Sequence, residues 1–382
     1  MNWIEILISV CSFIISAELL SLRVMNDRKG VFIYNYTSKL FMGSTRNSVR
    51  ISTKELDVGP FYNAAVLPLT VDTSLYIFAF GGGHVPTYCI SSNSKCSPKK
   101  LEVPDIDDYS VLNSALRGFE DTRAMYTPSG DIVLAISCPS VNIERSTCLI
   151  SAQVIIPELH QLNISTMPPV FPKMIELQFD DDLDHGWLKN QIPLFDPVKG
   201  LHVIHKAHPN IILSANNSTG IVKIKENAVD ECTDRLFRLF RGSDGIHMGS
   251  NALRVVLCKQ GECLPSIHNT VYMTLIHMHY GRADMYNDIS YYFRLFEARN
   301  TTYPYKPVFF TKPFYFSEYD PLVLIYSETI NFIYDQELIN RDMGHLDTPV
   351  ALGGSLDNDS ERQPLKAFFK FEDLIEIYLD CK

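Results

Sequence analysis

Gly118-Phe119-Glu120-Asp121-Thr122-Arg123, with Ile132-Val133-Leu134-Ala135-Ile136 close behind it, is the stretch that decides how this chain folds. The apolar run is rich in β-branched residues and follows a Pro128-Ser129-Gly130 turn, so it reads as a strand. In a regular strand neighbouring residues face opposite ways, so Glu120 and Asp121 part while Asp121 and Arg123 share a face. An acid beside a fixed cation can move protons. The commoner use of such a string is an ordinary ion pair.

The same pattern recurs outward from this stretch. Short apolar or alternating runs lie at Gly30–Tyr36, Ala64–Leu69, Ser74–Phe80, Thr147–Ile156, Gly200–His205, Asn210–Ser214, Gly220–Lys225, Leu253–Cys258, Thr270–Met278, Ile289–Ala298, Tyr305–Thr311 and Leu322–Tyr326. Gly, Pro, Asn and Asp punctuate them. No helix of ordinary length is expected before Phe368–Leu379, which reads as a final helix or an edge strand. The chain is therefore expected to be all-β, as a sandwich, a barrel or a propeller. No Pro/Ser-rich linker divides it, so one domain is expected.

Of the 382 residues 46% are hydrophobic, and 19 Tyr and 22 Phe supply a large core. The formal charge of −10 argues against nucleic acid or an anionic membrane as the main partner. An apolar run from Ile6 to Ala17 ends in small residues and is short for a bilayer span. Residues 1–17 are expected to be a signal peptide or, failing cleavage, a short signal anchor; residues 18–382 form the domain. Eight cysteines remain beyond Cys11. Their spacings suggest Cys89–Cys96, Cys138–Cys148 and Cys258–Cys263, which leaves Cys232–Cys381. Sequons at Asn35, Asn163, Asn216, Asn217, Asn300 and Asn358 fit the same secretory or extracellular compartment.

Three polar constellations could carry chemistry. Asn63 opens a strand, where its amide could bind a sugar hydroxyl or simply cap a turn. The Gly81-Gly82-Gly83-His84 loop after it lacks the ending of a phosphate-binding loop. Lys189 and Asn190 precede one strand, and His205 and Lys206 end the next. Together they could bind phosphate or sugar oxygens, with Trp187 as a stacking face. His277 and His279 share a strand face behind the His247-Met248-Gly249-Ser250-Asn251 stretch, as oxygen ligands or as satisfied interior histidines. No metal or cofactor is expected; Asp180-Asp181-Asp182 is a candidate cation site by composition alone.

The order of these stretches resembles the β-mannoside phosphorylases, whose fold is shared by β-mannoside hydrolases and eukaryotic β-mannosyltransferases. That family runs through a strand opened by Asn, a Glu-Asp-Pro-Arg box, a (D/E)-K-N box, a strand ending in His-Arg, a Gly-Gly-Thr/Ser box, and a strand ending in Tyr-His-Gly. The counterparts here are Asn63-Ala64-Ala65-Val66, Glu120-Asp121-Thr122-Arg123, Leu188-Lys189-Asn190, Val203-Ile204-His205-Lys206, Met248-Gly249-Ser250-Asn251 and Leu275-Ile276-His277-Met278-His279-Tyr280-Gly281. They span about Val58 to Phe316.

The resemblance implies a five-bladed β-propeller with its site in the central funnel. It implies an inverting reaction at a mannosyl carbon with Asp121 as acid/base and Glu120 beside it. Arg123, Lys189, His205 and Lys206 would hold a phosphate, and Asn63 and Asn190 mannose hydroxyls. Thr122 stands where the family has proline, Leu188 where it has an acid, and Lys206 where it has arginine. Lysine cannot grip phosphate in two-point fashion, which disfavours phosphorolysis. The secretory features point instead to a β-mannosyltransferase of the cell-wall type. Its donor would be GDP-mannose or mannose-1-phosphate and its acceptor mannan. A hydrolase of the same fold is the alternative, and a non-catalytic sugar-binding propeller is the rival outside enzymology.

Overall fold

The computed structural model describes residues 50–51, 53–55, 61–80, 86–92, 97–102, 120–140, 145–162, 168–179, 191–196, 199–239, 246–280, 291–316, 324–334, 341–358 and 361–381. Sheets of four, four, five, six and four strands follow one another along the chain as the blades of a β-propeller. The first blade comprises Phe61–Pro68, Ser74–Phe80, Thr87–Ser91 and Lys99–Lys100. The second comprises Glu120–Tyr126, Ile132–Pro139, Arg145–Ser151 and Ile175–Glu176. The third runs Ile192–Asp196, Gly200–Lys206, Asn210–Ala215 and Ile221–Ala228, with Gln178–Phe179 at its outer edge. The fourth runs Ile246–Val256, Thr270–Tyr280, Tyr291–Asn300 and Pro307–Thr311, with Ile377–Asp380 outside and Met343–His345 paired to the other edge of Ile246–Val256. The fifth holds Leu324–Phe332, Pro349–Asn358 and Glu361–Lys370. Thr53–Glu55 pairs with Glu361–Lys370 and completes that last blade from the start of the chain. Closure of this kind covers a sheet edge that would otherwise invite pairing.

The core is not one mass. It is a series of slabs, one between each pair of neighbouring blades. Leu67, Leu75 and Ile77 meet Tyr126 and Leu134 between the first and second blades. Met125, Val133 and Leu149 meet Leu201, Val203 and Leu213 between the second and third. Ile192, Ile204 and Ile212 meet Ile246 and Ile276 next, and Leu253 and Phe296 meet Ile330, Val350 and Leu352 after that. Ala64, Val66, Tyr76 and Phe78 meet Ala351 where the ring closes. A strand between two slabs is covered on both faces, which is why all of Ile132–Pro139 is buried and its Ile132–Ile136 stretch is an unbroken apolar run. The closing contact is tight. A Cβ on Gly353 would lie 2.6 Å from the carbonyl oxygen of Ala64.

Several sequence expectations are met. Thr127–Asp131 forms the turn, with Gly130 at φ 86° and its N–H donating to Thr127 O at 2.9 Å. Cys138–Cys148, Cys232–Cys381 and Cys258–Cys263 are bonded. Cys89 is disulfide-bonded, while Cys96, its expected partner, lies outside the described residues. Residues 1–17, the run Gly30–Tyr36, Gly81–His84, Asp180–Asp182 and the sequons at Asn35 and Asn163 also lie outside them.

Two expectations are corrected. A nine-residue helix, Glu231–Leu239, stands where none was expected. Asp230 caps it, its Oδ1 accepting from Thr233 N at 3.0 Å, and Cys232 within it is tied to Cys381 at the chain's end. Phe368–Leu379 is neither one helix nor one strand. It divides among the end of Glu361–Lys370, a single turn Phe371–Leu374, and the edge strand Ile377–Asp380. No described helix is long and apolar enough to cross a membrane.

Candidate functional site

The first strand of each blade lines the axis. Side chains tie these inner strands together near their ends. Asn331 Nδ2 donates to Val66 O and Ala124 O, each at 3.0 Å, joining the fifth, first and second blades. Thr329 Oγ1 accepts from Val66 N at 2.8 Å. Asn251 binds Ile330 through both amide atoms, donating to its carbonyl at 2.8 Å and accepting from its N–H at 2.9 Å. Further along, the Tyr126 hydroxyl donates to Pro68 O at 2.7 Å, and Arg341 donates to Leu69 O and to that hydroxyl. Burial pushes the Tyr126 hydroxyl up to about 12, against the opposing pull of Arg341. These contacts lie at the C-terminal ends of the first two inner strands.

Toward the other end the inner strands lose their regularity. Phe61–Pro68 is bulged between Tyr62 and Ala65, and Glu120–Tyr126 between Glu120 and Arg123. Ile246–Val256 is bulged between Met248 and Ala252, and Leu324–Phe332 between Ser327 and Thr329. The bulges hold Asn63, Asp121, Gly249-Ser250-Asn251 and Glu328. Bulges re-aim side chains and are over-represented beside active sites. Three residues beyond Asn63, Asp121 and Glu328 come Val66, Ala124 and Asn331, which are bonded to one another. On each strand the bulge residue thus lies three residues before that tie.

Asp121 is the conformational outlier of this ring. Its φ is 45°, in the left-handed region that few non-glycine residues occupy, and it is buried. Strained backbone of this kind persists where surrounding structure enforces it, and it concentrates at functional sites. The bulge also corrects the expected pleat. An extra residue interrupts the alternation, so regular-strand spacing does not place Asp121 and Arg123 on a common face. Arg123 is buried, and its Nη2 donates to Met248 O at 3.3 Å. It thus links the Glu120–Arg123 box to the Met248–Asn251 box across the axis.

Pairing brings the remaining expected residues to the same end. His247 pairs with His277, and their rings stack at 5.5 Å between centroids. Gly249 makes room for this pair, since a Cβ there would lie 3.1 Å from His277 Nδ1. Ile192 pairs with Ile204, which sets His205 beside the start of the third inner strand. His205 is buried, with its Nδ1 3.2 Å from Gln191 Nε2 and its ring edge-on to Phe179. Lys206, one residue on, is exposed and follows a register shift. The backbones of Asn63, Glu120 and His279 lie in their strands, and their side chains are outside what the structure describes. Lys189, Asn190 and Trp187 lie outside the described residues altogether. Among the described residues no group of His, Cys, Asp or Glu is arranged to hold a metal ion.

Sequence reading passed over Thr329, Asn331 and Glu328. It ended the fifth inner strand at Tyr326, yet Thr329-Ile330-Asn331-Phe332 alternates as a strand should. It also passed over Asp131, a buried carboxylate at the far end of the second blade. Asp131 accepts from Ser151 Oγ at 2.5 Å, Gln153 Nε2 at 3.2 Å and Val170 N at 2.8 Å. Burial raises its pKa against these three bonds.

No protein-family model matches the chain, and no curated protein does. Solved structures do. A candidate glycoside hydrolase from Bacteroides ovatus superposes with a TM-score of 0.51 at 10% identity, over 87% of this chain and 96% of its own. A second candidate glycoside hydrolase, from Parabacteroides distasonis, gives 0.49 at 9% identity over 85% and 94%. A member of the mannoside phosphorylase family that contains hydrolases of β-1,2-mannosidic linkages in Candida mannan gives 0.43 at 11% identity over 82% and 85%. The first likeness shows the fold: the chain is a five-bladed β-propeller.

Proposed function

We propose that this chain is a carbohydrate-active enzyme that hydrolyses a glycosidic bond with inversion, Asp121 giving the proton to the leaving oxygen. The observation that carries the reading is the left-handed, buried Asp121 in a bulge near the start of the second blade's inner strand. A carboxyl group fixed there suits general acid catalysis at the bridging oxygen. Arg123, held at the Met248 carbonyl, is the neighbouring fixed cation. The glycoside hydrolase named among the fold neighbours supports hydrolysis over transfer. The exposed Lys206 favours water over phosphate as the second reactant, because lysine offers a point charge rather than a fork. A β-mannoside is the substrate class that the order of sequence boxes supports. The disulfides suit a secretory or extracellular setting.

Transfer of mannose from GDP-mannose or mannose-1-phosphate to mannan uses the same proton path in the opposite sense, and one experiment separates the readings. The purified chain is incubated with a β-mannoside oligosaccharide in water, and separately with mannan and each donor. The expected result is release of mannose from the oligosaccharide, α-configured when first formed, read by proton NMR. Product from a sugar donor alone would replace hydrolysis by transfer. No product under any condition would leave a sugar-binding propeller.

A further inference from the structure

Cys258 and Cys263 are bonded across four exposed residues, 259–262, in the connection between the first two strands of the fourth blade. Both cysteines are half-buried. The other described disulfides are better shielded. Cys138 and Cys148 are fully buried, and Cys232 and Cys89 are buried on their side of the bond. The Cys258–Cys263 bond also does less for the fold. Its sequence separation is 5, against 149 for Cys232–Cys381. A disulfide restrains the unfolded chain less when the loop it closes is shorter.

The surroundings of the two sulfurs differ. His345 Nδ1 lies 3.7 Å from Cys258 Sγ. That histidine is held by the pairing of Met343–His345 with Ile246–Val256, and its backbone N–H donates to Thr348 Oγ1 at 2.9 Å. Leu346 N donates to Cys258 O at 3.1 Å and fixes the same corner. Cys263 Sγ accepts from the neutral amide of Asn269, Nδ2 at 3.0 Å. An imidazole that can carry charge stabilises a thiolate beside it more than a neutral amide does. In thiol–disulfide exchange the sulfur that makes the more stable thiolate leaves faster. Cys258 is therefore the leaving sulfur and Cys263 the one attacked. The same loop clasps the fourth blade to the fifth. Gln260 N donates to Asp347 Oδ1 at 2.8 Å, just before Pro349–Asn358. Lys259 Nζ pairs with Glu372 Oε2 at 2.7 Å, in the turn that follows Glu361–Lys370.

We propose that Cys258–Cys263 is a thiol-exchange site, opened by a low-molecular-weight thiol while the other described disulfides stay closed. A thiolate of that reagent bonds to Cys263 Sγ. The S–S bond breaks, and its electron pair goes to Cys258 Sγ beside the His345 imidazole. A second thiolate attacks the reagent's sulfur in the mixed disulfide and frees Cys263. Two external thiols become one disulfide, and the two cysteines gain two electrons and two protons. Opening the bond loosens the clasp between the fourth and fifth blades.

The test uses the full chain, reduced glutathione and an N-ethylmaleimide quench, read by peptide mass spectrometry. Cys258 and Cys263 are expected to be labelled first, with Cys89, Cys138, Cys148, Cys232 and Cys381 unlabelled until the chain unfolds. Early samples should carry glutathione on Cys263 and N-ethylmaleimide on Cys258. Amide hydrogen exchange in residues 343–348 should rise in the opened form. His345→Asn should slow opening by about threefold or more. His345→Gln serves as the second variant, and thermal unfolding confirms that each is folded. Opening of another of these cysteines first, or of all of them only as the chain unfolds, overturns the proposal. So does a folded variant that opens at the wild-type rate, glutathione on Cys258 in place of Cys263, or exchange in residues 343–348 that does not change.

Discussion

The two halves of the inner strands are built from the same chain by opposite rules. From Val66, Ala124 and Ile330 onward, toward the strand ends, pairing is regular, and polar side chains are spent on backbone groups of neighbouring blades. A few residues earlier, four of the five strands are bulged, and one carries a non-glycine residue at φ 45°. The later half fixes the ring. The earlier half departs from ideal structure around Asp121. The contrast shows how a propeller can hold a strained site: the strain sits on strands whose other ends are clamped.

The largest cost is expected away from the inner strands, at a buried ion pair between blades. Between the third and fourth blades Arg299 is fully buried, its Nη2 on Glu297 Oε1 at 2.7 Å and its Nη1 on Asn210 Oδ1 at 2.7 Å. Arg299→Met leaves Glu297 buried and unpaired, at a cost of about 3–5 kcal/mol, read as a drop in urea midpoint. Burial already raises the Glu297 pKa against the pull of Arg299. Asn331→Ala is smaller, about 1–3 kcal/mol, because the Ala124 carbonyl loses its donor from the fifth blade.

The earlier half should respond in the other direction. Asp121→Gly relieves the left-handed backbone and should raise stability by as much as ~1 kcal/mol while hydrolysis is lost. A fall in stability would mean that Asp121 serves the fold and not a reaction.

The smallest effect is a pH dependence on the third blade. His202 is buried with its Nδ1 3.2 Å from the Tyr305 hydroxyl, among Asp196, Lys199 and Lys225. Burial lowers its pKa below the ordinary 6.5. The unfolded chain then binds more protons than the folded one as pH falls through 6.5, so stability drops on acidification. His202→Asn should flatten the curve of unfolding temperature against pH between 7 and 5, by less than ~1 kcal/mol. An unchanged curve would remove His202 from that account.

How much of this the sequence disclosed follows from the physics of each residue. The strands and the turn at Pro128–Gly130 were legible because period and turn chemistry are local. The bulges were not, because they are mismatches between two strands and neither strand records them alone. This is why Asp121 and Arg123 were read on a regular pleat, and why Glu328 fell beyond a strand ended too early at Tyr326. The helix Glu231–Leu239 carried its signal in Asp230 and Thr233, a local cap that was passed over. Asn331 and Asn251 bond backbones 79 or more residues away in sequence, and no local pattern announces that.

The most direct test of Asp121 as the proton donor compares two leaving groups in Asp121→Asn. A β-mannobioside needs a proton on its departing oxygen, whereas 2,4-dinitrophenolate leaves without one. The variant should lose about 10²–10⁴-fold on the disaccharide and far less on the aryl glycoside. Equal losses on both substrates, or none on either, would contradict the role assigned to Asp121.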